Sequence, residues 1–105
     1  MSNNTIIGNS IVIDGEITGS DPLIIQGQVK GRIAIDDIVY IDESGSVEAT
    51  IESPGVEISG QVVGDVTASE RVELKPEARV SGNVRSPRIL IADGATFKGH
   101  IDMGG

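Results

Sequence analysis

VEISGQVVGDV, residues 56–66, repeats a pattern that also occurs in LIIQGQVKGRI, residues 23–33. Both segments have an aliphatic residue at offsets 0, 2, 6 and 10 and a glycine at offsets 4 and 8. Aliphatic residues two positions apart are typical of a β-strand, whose side chains alternate between two faces. The pattern lacks helical spacing, and its many Gly, Val and Ile residues do not favour a helix. The repeated unit is therefore interpreted as a set of short strands separated by glycine-containing corners.

The same pattern extends over most of the chain at a fixed period. Full units begin at residues 23, 39, 56, 72 and 89, so the period is 16 or 17 residues. The residues predicted to point inward are aliphatic except for one phenylalanine: Ile11, Ile13, Ile17, Leu23, Ile25, Val29, Ile33, Val39, Ile41, Val47, Ile51, Val56, Ile58, Val62, Val66, Val72, Leu74, Val80, Val84, Ile89, Ile91, Phe97 and Ile101. A unit that begins at Ile11 is about four residues short and is interpreted as an incomplete turn.

These observations predict an all-β protein that folds as a three-sided parallel β-helix of about six coils, because stacked short repeats form a solenoid. The strict six-residue repeat of left-handed solenoids is absent, and parallel crossovers are usually right-handed. A right-handed coil is therefore expected. The predicted organisation is a short N-terminal tail over residues 1–10, a β-helix domain over residues 11–103, and a C-terminal end at residues 104–105.

Composition restricts the kind of function. The formal net charge of −8 at pH 7 argues against direct binding to nucleic acid, whose phosphates repel an acidic protein. The chain has no cysteine, which excludes disulfides and thiolate metal sites. Its apolar runs are only a few residues long, so the sequence predicts neither a signal peptide nor a transmembrane segment. The expected location is the cytoplasm.

The sequence does not favour an enzyme. A zinc hydratase built on a β-helix requires about three histidine ligands, whereas His100 is the one histidine of this chain. A β-helix acyltransferase requires the hexapeptide repeat, which is absent. The paired carboxylates Asp36-Asp37 and Asp42-Glu43 lack a concave pocket in a filled solenoid. We therefore expect no catalytic residues, no metal, no cofactor and no small-molecule substrate.

The two ends of the predicted solenoid are candidates for self-assembly. Neither terminus contains an amphipathic segment able to cover an open triangular core, and exposed strand edges pair readily with other strands. Leaving such apolar side chains exposed gives up about 1.5–3 kcal/mol each, which end-to-end association recovers. The residues predicted to form this polymerisation interface are Phe97, Ile101 and Met103 at one end and Ile11 and Ile13 at the other.

A second candidate surface is an outward row between the paired inward residues of each coil. Its predicted members are Val12, Ile24, Tyr40, Glu57, Glu73 and Leu90. The apolar members Val12, Ile24 and Tyr40 form either a lateral or partner-binding patch or an ordinary set of exposed apolar side chains, which are common on protein surfaces.

The chain resembles the bactofilins, a family of bacterial polymer-forming cytoskeletal proteins. The resemblance runs from about Thr5 to Met103 and is carried by IVIDGEITGSDPLIIQGQVKGRI (residues 11–33), VEISGQVVGDV (residues 56–66) and SPRILIADGATFKGHIDM (residues 86–103). It implies a right-handed β-helix that polymerises without nucleotide and joins like ends into filaments without overall polarity. It also implies that a phenylalanine of the terminal coil supports polymerisation, a position matched by Phe97 within ATFKGH.

The resemblance further implies client proteins, namely cell-wall and cell-shape enzymes or factors for polarity and chromosome segregation. Such partners would bring a cytoplasmic filament to the membrane periphery or the cell pole. Some relatives reach the membrane through an apolar or basic N-terminal peptide. The segment MSNNTIIG has no basic residue and little apolar length, so direct membrane binding is not expected.

A different function remains compatible with the same repeat. In that alternative the chain is a monomeric β-helix adaptor whose tails cap both ends, and it forms no polymer. The oligomeric state in the absence of nucleotide distinguishes the two hypotheses.

Overall fold

The computed structural model describes residues 5–8 and 10–102 of the chain. These residues form eleven β-strands and no helix. In chain order the strands are β1 (Thr5–Ile7), β2 (Val12–Gly19), β3 (Leu23–Ile25), β4 (Gln28–Ile35), β5 (Ile38–Ile41), β6 (Ser46–Ile58), β7 (Gln61–Val63), β8 (Val66–Leu74), β9 (Arg79–Arg85), β10 (Ile89–Ile91) and β11 (Thr96–Asp102).

All strand pairings are parallel and join successive coils, which creates three faces. Face 1 stacks Ile13, Val29, Val47, Val62, Val80 and Phe97. Face 2 stacks Ile17, Ile33, Ile51, Val66, Val84 and Ile101. Face 3 stacks two parallel rows, of which one is Leu23, Val39, Val56, Val72 and Ile89 and the other is Ile7, Ile25, Ile41, Ile58, Leu74 and Ile91. The predicted all-β parallel solenoid of about six turns is confirmed.

The interior is a column of aliphatic side chains. Val29, Val47 and Val62 are fully buried on face 1, and Ile33 and Ile51 are fully buried on face 2. Branched aliphatic side chains suit this position because they pack closely on the pleated surface of a strand and lose little rotamer freedom there. The core therefore needs no large aromatic residue in its middle coils.

Glycine occupies the turn from face 1 into face 2 in every coil except the third, where Ala49 takes this position. Gly31 and Gly82 have φ values of 120° and 132°, a region that favours glycine. A Cβ on Gly82 would overlap the backbone carbonyl of Gly64 in the preceding coil, and a Cβ on Gly31 would overlap that of Gly15. These corner glycines thus permit both the sharp turn and the close stacking of coils.

The predicted starts of the full coils agree with the register. Leu23 pairs with Val39, Val39 with Val56, Val56 with Val72, and Val72 with Ile89.

The first coil differs from its predicted boundaries. It begins with β1, whose Thr5 pairs with Leu23, and Ile7 is only 3% exposed. The solenoid therefore includes part of the segment assigned to an N-terminal tail, and its first coil is a full turn. In the corner between β1 and β2 the Ile11 amide donates a hydrogen bond to the Gly8 carbonyl (3.0 Å), as the Gly45 amide does to the Asp42 carbonyl in the third coil. Ile11 therefore lies in a corner and does not begin a coil.

Candidate assembly surfaces

The C-terminal end of the solenoid presents two strands that are paired on one side only. β10 pairs with β8 and β11 pairs with β9. The opposite edge of each strand carries backbone N–H and C=O groups in position to pair with another chain. The last coil thus offers a template for strand addition.

Apolar side chains accompany this C-terminal edge. Phe97 stacks on Val80, yet Phe97 is half-buried whereas Val80 is buried. Ile101 is half-buried in the same way above the buried Val84. Both are less buried than the inner residues of their rows because, within the described residues, no strand pairs with the outer edge of β11. The predicted interface residue Met103 lies outside the described residues.

Two further apolar residues lie at this end and were not among the predicted interface residues. Leu90 is 51% exposed and Ile91 is 49% exposed, both on edge strand β10. The signal for Ile91 was available, since Ile89 and Ile91 are the last aliphatic pair of the repeat. Ile91 stacks on the buried Leu74 but is itself half exposed, so it belongs to the open end with Phe97 and Ile101.

The N-terminal end has an equivalent open edge formed by β1 and β2, which pair only with β3 and β4. Ile13 and Ile17 of β2 are half-buried against the core. The predicted interface residue Ile11 is 44% exposed, but it lies in the corner before β2 and has no place in an inward row. Ile13 and Ile17 are therefore the residues of β2 that continue the core to this end.

The difference between inner and terminal coils has an energetic consequence. Every inner residue of the face 1 and face 2 rows is buried by a coil on each side, whereas Ile13, Ile17, Phe97 and Ile101 have a coil on one side only. Covering a fully exposed side chain of this size contributes about 1.5–3 kcal/mol, and a half-buried one correspondingly less. Both ends therefore favour association with another apolar surface.

The outward row of face 3 has one member different from the predicted set. Ile6 pairs with Ile24, which pairs with Tyr40, and the row continues through Glu57, Glu73 and Leu90. Val12 instead pairs with Gln28 on face 1. The alternation of Ile11 and Ile13 suggested that Val12 lies between two inward residues of face 3. Alternation does not reveal which face a residue joins, however, because the strand pairing of the first coil decides that. Ile24 and Tyr40 are half-buried neighbours in the row as predicted.

Two stacked carboxylates follow the apolar members of this row. Glu57 and Glu73 are paired on adjacent strands, with Arg71 Nη2 at 3.9 Å from Glu57 Oε1 and Lys75 Nζ at 3.4 Å from Glu73 Oε2. Partial burial and then the neighbouring carboxylate of Glu73 raise the pKa of Glu57, and together they outweigh the two cations. The ionised form of Glu57 at the centre of face 3 is therefore mildly disfavoured by burial and by the charge of Glu73.

We expect Glu57→Gln to increase the free energy of unfolding at pH 7 by about 0.5 kcal/mol, since like charges directly opposite each other on adjacent strands are destabilising and exposure to solvent weakens the effect. The pKa of Glu57 is raised in the folded state, so protonation of Glu57 stabilises the folded chain. This stabilisation is complete below the ordinary pKa of 4.5 and is lost as pH rises through the folded-state pKa. The advantage of the variant should therefore shrink on acidification. Urea unfolding at several pH values measures it, with the exposed Glu70→Gln as control, and a pH-independent difference would contradict it.

The remaining candidate groups do not converge on a reactive site. His100 is exposed on β11 beside Asn83. Within residues 5–8 and 10–102, no group of three or more His, Asp or Glu side chains is arranged to hold a metal ion. The described part of the chain also contains no helix of the length and apolarity needed to cross a membrane.

Comparison with known proteins identifies similar chains with this architecture. The family model of bactofilin, described as polymer-forming cytoskeletal, matches residues 5–102. BacO of Myxococcus xanthus (strain DK1622) is 58% identical over 100 residues, which cover 95% of this chain and 79% of BacO.

Solved structures show the same fold. The Thermus thermophilus bactofilin in a cryo-EM reconstruction of double helical filaments has a TM-score of 0.88 and 28% sequence identity, over 92% of this chain and 96% of that one. The solid-state NMR structure of the cytoskeletal bactofilin BacA has a TM-score of 0.85 and 30% identity, over 93% of each chain.

Proposed function

Because the chain belongs to the bactofilin family of polymer-forming cytoskeletal proteins, we propose that it assembles end to end into filaments without nucleotide and serves as a non-catalytic scaffold. The single observation that carries the proposal is that the inward rows of face 1 and face 2 end in half-buried residues at both ends of the solenoid: Ile13 and Ile17 at one end, Phe97 and Ile101 at the other. Like ends join in this proposal, so the filament has no overall polarity. No nucleotide is needed, since burial of apolar surface is itself the driving force.

Edge strands and apolar side chains have different roles in the two proposed junctions. Phe97, Ile101 and Met103, extended by Leu90 and Ile91, form the C-terminal junction in this proposal. Ile11 and Ile13, together with Ile17, form the N-terminal junction. Backbone groups of the edge strands supply direction and register, while the apolar side chains supply most of the free energy.

The faces of the filament are left to bind other proteins. We place the client-binding or lateral patch on face 3 at Ile6, Ile24 and Tyr40, where apolar side chains of three successive coils share one outward row. The proposed clients are cell-wall and cell-shape enzymes or proteins of polarity and chromosome segregation. The proposed location is the cytoplasm, with clients bringing the filament to the membrane periphery or the cell pole.

Purified protein in a nucleotide-free buffer without divalent metal, containing about 150 mM NaCl, is expected to form thin, unbranched filaments visible by negative-stain electron microscopy. The same preparation should sediment in an ultracentrifuge, and adding ATP or GTP should leave the sedimenting fraction unchanged. Monodisperse particles at every protein concentration would overturn the proposal and favour the monomeric adaptor. Nucleotide-dependent polymers would overturn the assembly mechanism alone.

A further inference from the structure

The N-terminal end of the solenoid is uniformly acidic. Residues 5–22 contain three carboxylates, Asp14, Glu16 and Asp21, and no Lys, Arg or His. Asp14 and Glu16 are exposed on edge strand β2, on either side of the corner at Gly15. They therefore lie at the rim of the surface that forms the proposed N-terminal junction.

The nearest cations are directed toward the third coil rather than toward these carboxylates. Lys30 pairs in register with Asp14, but its Nζ lies 3.9 Å from Glu48 Oε2. Arg32 pairs in register with Glu16, but its Nη2 donates hydrogen bonds of 3.1 and 3.0 Å to both carboxylate oxygens of Glu52. The hydrogen bonds and charge of Glu52, more than the charge of Glu16, raise the pKa of Arg32. The acidic rim is therefore only partly compensated from within the chain.

The C-terminal end has a different character. Residues 86–102 contain two formal cations and two carboxylates, with His100 neutral: Arg88, Lys98, Asp93 and Asp102. The end also exposes Leu90 and Ile91 and the half-buried ring of Phe97. Both ends expose apolar side chains, including Ile6, Ile11 and Val12 at the N-terminal end, so charge is what distinguishes them: like ends that meet at the C-terminal end bring balanced charge together.

Building on the proposed like-end assembly, we propose that the two junctions differ in strength and in salt dependence. The C-terminal junction forms a salt-tolerant dimer. The N-terminal junction, where Asp14 and Glu16 of one subunit meet those of another, joins the dimers into filaments only when salt screens the carboxylates. The length over which charges act shortens from about 30 Å in 0.01 M salt to about 8 Å in 0.15 M salt, while adjacent strands are about 4.8 Å apart.

Head-to-tail assembly makes the opposite prediction. Asp14 begins, and Lys98 ends, one outward row that runs along face 1. Stacking the N-terminal end of one subunit on the C-terminal end of another would place Lys98 near Asp14, an attraction that salt weakens. The sign of the salt dependence therefore distinguishes the two modes of assembly.

Analytical ultracentrifugation of the full chain in about 10 mM and about 150 mM NaCl tests the proposal. We expect mainly dimers at the lower concentration and filaments at the higher one. The double variant Asp14→Asn/Glu16→Gln should form filaments at the lower salt concentration, with a critical concentration about tenfold below that of the wild type. The control Asp36→Asn/Glu70→Gln removes the same charge from inner coils and should retain the wild-type salt dependence.

Each outcome has one interpretation. Filaments in low salt that dissociate as salt is added would overturn the inference and indicate head-to-tail assembly. Equal assembly at both salt concentrations, or equal effects of the two double variants, would overturn the inference while leaving filament formation intact. Absence of filaments in every condition would overturn the proposed function itself.

Discussion

Replacement of Phe97 by arginine is expected to abolish filament formation while leaving the solenoid folded. Phe97 is the aromatic residue of the last coil, and it is half-buried with its exposed side toward the open end. Buried aromatic anchors at interfaces contribute about 2 kcal/mol or more, and a cation placed there must also be desolvated in every junction. The critical concentration should therefore rise by at least about 30-fold. Sedimentation and electron microscopy measure the loss of polymer.

The fold should survive because Phe97 contacts the core from one side only. Circular dichroism should retain the β-sheet spectrum, and a cooperative urea transition should remain. Val63→Arg is the matched control, since Val63 is an exposed aliphatic residue on face 1 of an inner coil and should tolerate the same charge without loss of filaments. Unchanged filaments in Phe97→Arg would rule out the anchoring role. An unfolded variant would show instead that Phe97 is essential to the terminal core.

Gly82→Ala is expected to destabilise the folded chain by about 2–6 kcal/mol. Gly82 has a φ of 132°, and an added Cβ would overlap the Gly64 carbonyl in the coil beneath. Backbone strain contributes about 1–3 kcal/mol and steric overlap in a packed interior another 1–3 kcal/mol. The overlap cannot relax locally, because the obstructing atom belongs to the backbone of a paired strand. Urea unfolding in the Phe97→Arg background measures the change without a contribution from polymerisation.

The substitution Gly15→Ala separates the effect of backbone strain from that of steric overlap by the added Cβ. Gly15 begins the same corner row, with a φ of 143°, but among the described residues a Cβ there would meet no atom within 4 Å, and the one strand paired with β2 is β4. Gly15→Ala is expected to lower the free energy of unfolding through backbone strain alone, by about 1–3 kcal/mol. Equal destabilisation by the two substitutions would contradict the view that stacking of coils, rather than the turn, sets the requirement for glycine.

The fold was largely predictable because the repeat is redundant. Each inner coil begins with the same aliphatic pair, and the coils from Leu23 and Val56 also share a glycine spacing, so a period of 16 or 17 residues and the starts at Leu23, Val39, Val56, Val72 and Ile89 followed without tertiary information. The half-exposed positions of Phe97 and Ile101 agree with the expectation that the last coil would be uncovered. Their role in polymerisation stays a prediction that the substitutions above will test.

The first coil was less predictable because the aliphatic pair Ile11 and Ile13 resembles a coil start, yet Thr5–Ile7 is the strand that pairs with β3. Ile11 lies in the corner before β2, which alternation alone does not reveal. The membership of Ile6, and not Val12, in the outward row of face 3 follows from this pairing.

By itself, the sequence determined the parallel solenoid, its period and most of its core, because each of these depends on an aliphatic pattern that local residues carry and successive coils repeat. Only the tertiary structure decided where the first coil begins, that Ile7 rather than Ile11 belongs to the core, and that Lys30 and Arg32 turn from the acidic rim toward Glu48 and Glu52. These features depend on which coil lies beside a residue, and such contacts join residues about a full turn apart. Local alternation specifies the direction of a side chain, whereas the neighbouring coil determines which residues that side chain contacts.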